Sequence, residues 1–241
     1  MDYRGFGPNT LQVYKYQPRE LPYPELSTFD QPFYMVGTDE NNVSTYLIPG
    51  VPDIKIKIGY KERTTAFIEY TEVSNITLIL KDEEIDLLSE FRKFQPELKV
   101  RTSRTGGAHY NHNEKAVQII GLRNLRDLWG LFHEARHGSQ YTHPEIIGLT
   151  NEDLEAVTQC YFAKATHSTE GITSRGLDAM FKLEQDANLN AEMWFFKIID
   201  AIGNIDDRDQ SVINYMIEHY LGEYVKWIET IKSKIFWEVR I

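Results

Sequence analysis

The sequence is short of cysteine, of basic side chains and of long apolar runs. Cys160 is its one cysteine, which excludes an intramolecular disulfide and suits a reducing compartment. No stretch approaches the ~20 apolar residues of a membrane span, and the first residues, MDYRGFGPNT, lack the apolar segment of a secretory signal. With 36 acidic and 26 basic residues the net charge is −10, which argues against nucleic acid or an anionic membrane as a partner. We therefore expect a soluble, cytoplasmic protein.

Proline is concentrated near the N-terminus. Five of the nine prolines fall in the first 32 residues, interleaved with tyrosine and phenylalanine. Such a segment cannot form a regular helix or a central strand, yet it is too aromatic for a purely flexible linker. We predict that residues 1–35 form an extended arm packed over the body; the alternative is an arm that lies in the functional cleft and restrains access. Residues 36–241 are predicted to form a single domain.

The first part of that domain, residues 36–122, has the pattern of an antiparallel sheet. Apolar and polar residues alternate in several segments rich in Ile, Val, Thr and Tyr, with turns between them, one of which is expected at Ser74-Asn75. Asp82 is the expected N-cap of a helix of about a dozen residues. The predicted strands are Val43–Ile48, Asp53–Tyr60, Thr64–Glu72, Ile76–Lys81, Leu98–Thr102 and Ala116–Leu122. The last could align an extended substrate if it lies at the sheet edge.

A metal-binding pattern follows the last predicted strand. His133-Glu134-x-x-His137 places two histidines one turn apart on a helix, so both imidazoles can reach a single Zn²⁺. Glu134 is placed to take a proton from the water of the metal. Asn124 is the expected N-cap of this helix and Gly138 its left-handed C-cap. This strand, turn and helix predict a catalytic zinc site; the alternative is a helix with two incidental surface histidines.

The chain after Gly138 is predicted to be helical, and it contains the third ligand that a catalytic zinc site usually requires. Of the downstream carboxylates, Glu184 lies in the middle of an apolar stripe, whereas Glu152 and Glu155 fall off the stripe of their own helix. A buried carboxylate needs a partner, which is Zn²⁺ or, alternatively, a buried Lys or Arg. Asn188, one turn from Glu184, is placed to hydrogen-bond a metal ligand from outside the coordination sphere. The predicted helices are Asn151–Thr166, Ser174–Ile202 and one from Asp209 or Ser211 onward.

These residues resemble a known family. His133-Glu134-Ala135-Arg136-His137, followed by Glu184 to Ala191 (EQDANLNA), is similar to the HExxH plus E-x-x-A-N/D-x-x-A pattern of gluzincin-type metallopeptidases, with the ImmA/IrrE family nearest in style. The resemblance implies an α+β, zincin-like metallopeptidase fold. A strand-rich lobe (36–122) would pack beside a helical lobe (123–241) around the HExxH helix. It also implies Zn²⁺ held by His133, His137 and Glu184, with Glu134 as catalytic base.

The functional prediction is zinc-dependent hydrolysis of a protein or peptide substrate. Tyr141 and His143, just past the histidines, are the nearest candidates for stabilising a developing oxyanion. His109 and His112, in a loop with Gly106-Gly107, could bind a second metal or lie in a solvated loop. The alternatives are a non-catalytic zinc-binding interaction protein, or a zinc hydrolase of a non-peptide substrate. A homodimer through the apolar stripe of the last helix is an alternative to burying that stripe in the core.

Overall fold

The computed structural model describes residues 25–61, 70–103 and 107–238, which form a mixed, mostly antiparallel sheet packed against a helical lobe. The strand order is β1-β2-β3-β4-β6-β8-β7, with β5 pairing to β4, and β6 and β8 are the one parallel pair in this order. The strands are β1 Tyr34–Thr38, β2 Val43–Ile48, β3 Val51–Tyr60, β4 Tyr70–Leu80, β5 Glu83–Asp86, β6 Lys99–Ser103, β7 His109–Asn111 and β8 Ala116–Ile119.

The alternation of apolar and polar residues explains which side chains of the sheet are buried. In β3, Ile54, Ile56 and Ile58 are buried, while Lys55 is exposed and Lys57 is partly exposed on the other face. The turn expected at Ser74-Asn75 is wrong, because β4 runs through this pair. Gly59 pairs with Asn75 and Tyr60 with Val73, so Ser74 is the extra residue of a β-bulge. The predicted strand over 64–72 lies outside the described residues except for 70–72, which belong to β4.

The helix expected after Asp82 is also different. Residues 83–86 extend the sheet as β5, because their alternation turns Ile85 inward and they pair with β4. The helix begins only afterwards, as α1 Leu87–Arg92, and Asp86 caps it by accepting a hydrogen bond from the Ser89 backbone N–H. The side chains of Asp82 and Asp86 could both cap a helix. The pairing of residues 83–86 with β4 determines that the helix begins only after Asp86.

Four longer helices form the second lobe. They are α2 Leu125–Thr142, α3 Asn151–Thr166, α4 Ser174–Ile202 and α5 Asp207–Glu238, with a short 3-10 helix at Pro144–Ile147. Asn124 caps α2 as predicted, and Thr150 and Asp153 form a capping box at α3. Among the described residues, no helix is both long enough and apolar enough to cross a membrane.

Two apolar cores meet along α4. One core joins the sheet to α2 and includes Ala191 and Phe195 of α4; the other joins α3, α4 and α5 and includes Met180 and Leu183. Residues 184–188 therefore lie between the two cores. The apolar stripe of α5 packs into both cores within the chain. A homodimer through this helix stays a prediction.

The predicted N-terminal arm is described only in part. Residues 1–24 lie outside the described residues. Phe29 is fully buried and stacks on Phe195, with ring centroids 5.0 Å apart. Thr28 donates to the buried carboxylate of Asp209, which ties this segment to the start of α5. The last part of the predicted arm is thus packed in the core.

Candidate metal centre

Helix α2 brings two imidazoles together. His133 and His137 are one turn apart and buried, and their Nε2 atoms lie 3.2 Å from each other. The apolar residues of α2 face the sheet core, and this leaves the histidines directed at α4. The i, i+4 spacing therefore places both ring nitrogens at one point, as the sequence predicts.

Helix α4 brings the carboxylate. Glu184 is 1% exposed, and its Oε2 lies 3.2 Å from Nε2 of His133 and 3.9 Å from Nε2 of His137. The small side chains of Ala187 and Ala191 are buried on the same face of α4, so the two helices can approach closely. Other glutamates downstream of the histidines are exposed, among them Glu145, Glu152, Glu155 and Glu170.

The three side chains fit a divalent metal ion. Two ligands bound at 2.0–2.2 Å with a tetrahedral angle between them lie about 3.3–3.6 Å apart, close to the observed separations. Oε2 of Glu184 is buried and makes no hydrogen bond of regular geometry, although Nε2 of His133 lies 3.2 Å away, so a cation bound here would neutralise a carboxylate oxygen that is not fully satisfied. Among the described residues, His133, His137 and Glu184 form the only cluster of His, Cys, Asp or Glu side chains with such spacing. The structure therefore contains a candidate metal site.

Two tyrosines that the sequence analysis did not assign to the site surround Glu184. The hydroxyl of Tyr161, from α3, donates to Oε1 of Glu184 at 2.5 Å, and Tyr224, from α5, also hydrogen-bonds this carboxylate. Burial and then the charge of Glu184 raise the pKa of both phenols, so they are donors throughout the physiological range. Burial opposes ionisation of Glu184, but the two imidazoles and Tyr161 outweigh it and lower the pKa of its carboxyl.

Glu134 lies beside the cluster without being part of it. Its side chain is half-buried and accepts a hydrogen bond from the backbone N–H of Tyr110, in β7. Burial raises its pKa to about 7, and the charge of Glu184 acts in the same direction, while His137 and the Tyr110 N–H oppose the shift. A carboxyl with such a pKa is suited to both accepting and returning a proton near neutral pH.

The two candidates for oxyanion stabilisation differ in position. Tyr141 is half-buried and packs against the ring of His112, with centroids 4.9 Å apart, and burial and then the charge of Glu184 raise its pKa to about 12. His143 is exposed and its Nδ1 lies 3.2 Å from Glu145 Oε1. Of these two residues, Tyr141 is the more buried. His109 and His112 are exposed.

Three local expectations are wrong. Gly138 does not stop α2, which continues to Thr142; instead, a Cβ at Gly138 would lie 2.3 Å from Gln95 Oε1, so close packing explains the glycine. The amide of Asn188 donates to the backbone carbonyl of Glu184 and not to its carboxylate. Strand β8 is interior, and β7 is the outer strand next to Glu134.

The chain matches no family model, no curated protein and no solved structure. Fold and site together define an α+β protein with a candidate His-His-Glu metal centre between a sheet and a helical lobe. The zincin fold and the metallopeptidase resemblance thus rest on the HExxH and glutamate pattern alone.

Proposed function

We propose that this protein is a zinc-dependent metallopeptidase. The observation that carries the proposal is the separation of roles around one buried point. His133, His137 and Glu184 converge there, while Glu134 lies beside them with its carboxyl held outside the cluster. A structural zinc site usually has four protein ligands, and the described residues supply three.

Each side chain of the site has a distinct task in this proposal. His133, His137 and Glu184 would hold the ion, which would supply Lewis acidity toward water and the scissile carbonyl. The hydroxyls of Tyr161 and Tyr224 orient the Glu184 carboxylate. Glu134 takes the proton from the attacking water and returns it to the leaving amine.

The position of β7 supports an extended peptide as substrate. β7 ends the described sheet and pairs with β8 on one side, through His109, Tyr110 and Asn111. The Tyr110 backbone N–H lies near the Glu134 carboxyl. A peptide that adds to this edge would pass directly beside the proposed base, since main-chain pairing aligns an extended chain along a sheet edge.

Cleavage of an unstructured protein or peptide library tests the proposal. Protein stripped of metal is reloaded with Zn²⁺, and the products are identified by mass spectrometry. We expect cleavage that requires the metal and that falls by roughly two to four orders of magnitude in Glu134→Gln. Glu152→Gln, an exposed glutamate on α3, is the matched control and should cleave normally.

Two outcomes would contradict the proposal. A zinc-loaded wild-type protein that cleaves no peptide would favour a structural site or a non-peptide substrate. Equal cleavage by wild type and Glu134→Gln would remove the case for glutamate-assisted catalysis here.

A further inference from the structure

The polar side chains next to the metal centre form a chain of contacts between α2 and α4. We propose that Gln140 is a positioning residue that fixes the tautomer of His137, and that Asp186 and Arg136 hold Gln140 in place. The inference rests on the proposed function in one respect: the tautomer matters because His137 is taken to bind a metal through Nε2.

Gln140 is fully buried, and each end of its amide has defined partners. Its Nε2 donates to the backbone carbonyl of Leu183 at 2.9 Å and to Oδ2 of Asp186 at 2.7 Å. Its Oε1 lies 2.7 Å from Nδ1 of His137. The two acceptors on α4 fix the orientation of the amide, because a flipped amide would place its oxygen against a carbonyl and a carboxylate.

The fixed amide determines which nitrogen of His137 carries the proton. Because Oε1 can only accept, Nδ1 of His137 must donate, and a neutral imidazole then has its lone pair on Nε2. That nitrogen is the one directed at the cluster, 3.2 Å from Nε2 of His133 and 3.9 Å from Oε2 of Glu184. Gln140 therefore prepares His137 for a cation before any cation binds.

Asp186 extends the chain of contacts to Arg136. The guanidinium donates to both carboxylate oxygens, Nε to Oδ2 at 2.7 Å and an Nη to Oδ1 at 3.2 Å. The pair is partly shielded, with side-chain exposures of 20% and 26%. Arg136 and Gln140 flank His137 in α2, and Asp186 lies two residues after Glu184 in α4. The contacts thus fix the two ligand-bearing helices relative to each other.

Gln140→Leu, which keeps the size and removes the amide, is the first test. The tautomer of His137 is read from ¹⁵N NMR of metal-free protein at a pH where imidazole is neutral, with His137→Ala identifying the signal. Wild type should show Nδ1–H, and the variant should show a mixture or Nε2–H. Its dissociation constant for Zn²⁺, measured by competition with a chelator, should rise about 10- to 100-fold.

Two further variants distinguish a specific effect on His137 from a general loss of helix packing or of folding. Asn190→Leu removes another hydrogen bond between the two helices, from Asn190 Nδ2 to the Phe132 carbonyl, without touching an imidazole; tautomer and zinc affinity should stay close to wild type. Arg136→Met acts from a less buried position, so it keeps the inference testable if Gln140→Leu does not fold. It should raise the dissociation constant for Zn²⁺ above that of wild type, whereas Asn190→Leu should not.

The inference is overturned if metal-free wild type shows His137 as Nε2–H, or if Gln140→Leu leaves both readouts unchanged. It is also overturned if Asn190→Leu weakens zinc binding as much as Gln140→Leu, since the effect would then be general helix packing. A wild-type protein that binds no zinc would contradict the proposed function but not the inference about Gln140. The tautomer of the metal-free protein would still decide the positioning role.

Discussion

The sheet and the helical lobe bury different kinds of side chains. The strands contribute mainly aliphatic side chains to their core, and they satisfy their polar backbone groups by pairing with one another. The helical lobe buries two imidazoles, a carboxylate and two amides at one place. Buried titratable groups cost stability unless they have partners, so the helices carry a cost that the sheet does not. The comparison places the candidate metal site in the helical lobe, whereas the sheet buries no comparable cluster of polar side chains among the described residues.

Zinc should stabilise the folded protein by binding to side chains of the helical lobe. At free zinc about 1,000-fold above the dissociation constant, the free energy of unfolding should rise by about 4 kcal/mol, because the ion binds only the folded state. Glu184→Ala should lose most of this gain. Hydrogen exchange with and without zinc locates the effect: added protection in α2 and α4 is expected, and protection confined to β2 and β3 would break the comparison.

A core truncation in the sheet should destabilise the protein without affecting the metal centre. Leu78 is fully buried in β4, and Leu78→Ala should lower the free energy of unfolding by about 2–5 kcal/mol. The further gain from added zinc should equal that of wild type. Chemical denaturation with and without zinc measures both quantities, and a smaller zinc effect in this variant would show that sheet and site are coupled.

Gly138 tests the contact between the two regions. A Cβ there would displace the terminal amide of Gln95 and lie 3.2 Å from Leu98 Cδ1, so overpacking in Gly138→Ala should cancel the gain of about 0.5–1 kcal/mol that alanine brings inside a helix. Gly222→Ala, in α5 with open space around the new methyl group, should instead stabilise by about 0.5–1 kcal/mol. Thermal unfolding compares them. Equal effects of the two substitutions would refute the packing explanation for Gly138.

The smallest expected effect is on the pH dependence of stability and concerns Asp153, at the start of α3. Arg175 and then Thr150 lower the pKa of the Asp153 carboxyl. A folded-state pKa below the unfolded value of ~3.9 adds stability that is present above that value and lost as the pH falls further. Asp153→Asn should therefore flatten the acid limb of urea unfolding measured between neutral and acid pH. An unchanged limb, or a change as large in the exposed control Glu155→Gln, would contradict the assignment.

The sequence predicts most of the scaffold and part of the site. The pattern of single segments predicted β2, β3, β6, β8 and part of β4, but not β1, β5 or β7. The face of α4 predicted that Glu184 is buried near the two histidines, because this depends on spacing along one element. The bulge at Ser74 and the strand at 83–86 depend on pairing with β3 and β4, which no local pattern shows.

The contacts of Glu184 show the same limit within the site. Tyr161 of α3 and Tyr224 of α5 both pack against the second apolar core. Their hydroxyls meet one carboxylate only because α3, α4 and α5 pack around it. Gln140 likewise contacts His137 within its own helix, but its orientation comes from acceptors 43 and 46 residues away. Ligation of a metal by these residues stays a prediction.

Zinc content tests the central claim most directly. Wild type and variants are loaded with Zn²⁺, separated from free ion and measured by elemental analysis together with protein concentration. We expect one zinc per chain in wild type and in Glu134→Gln, and much less in His133→Ala and Glu184→Ala. Equal zinc in wild type and His133→Ala, or loss from Glu134→Gln as complete as from Glu184→Ala, would contradict the proposed division between ligands and base.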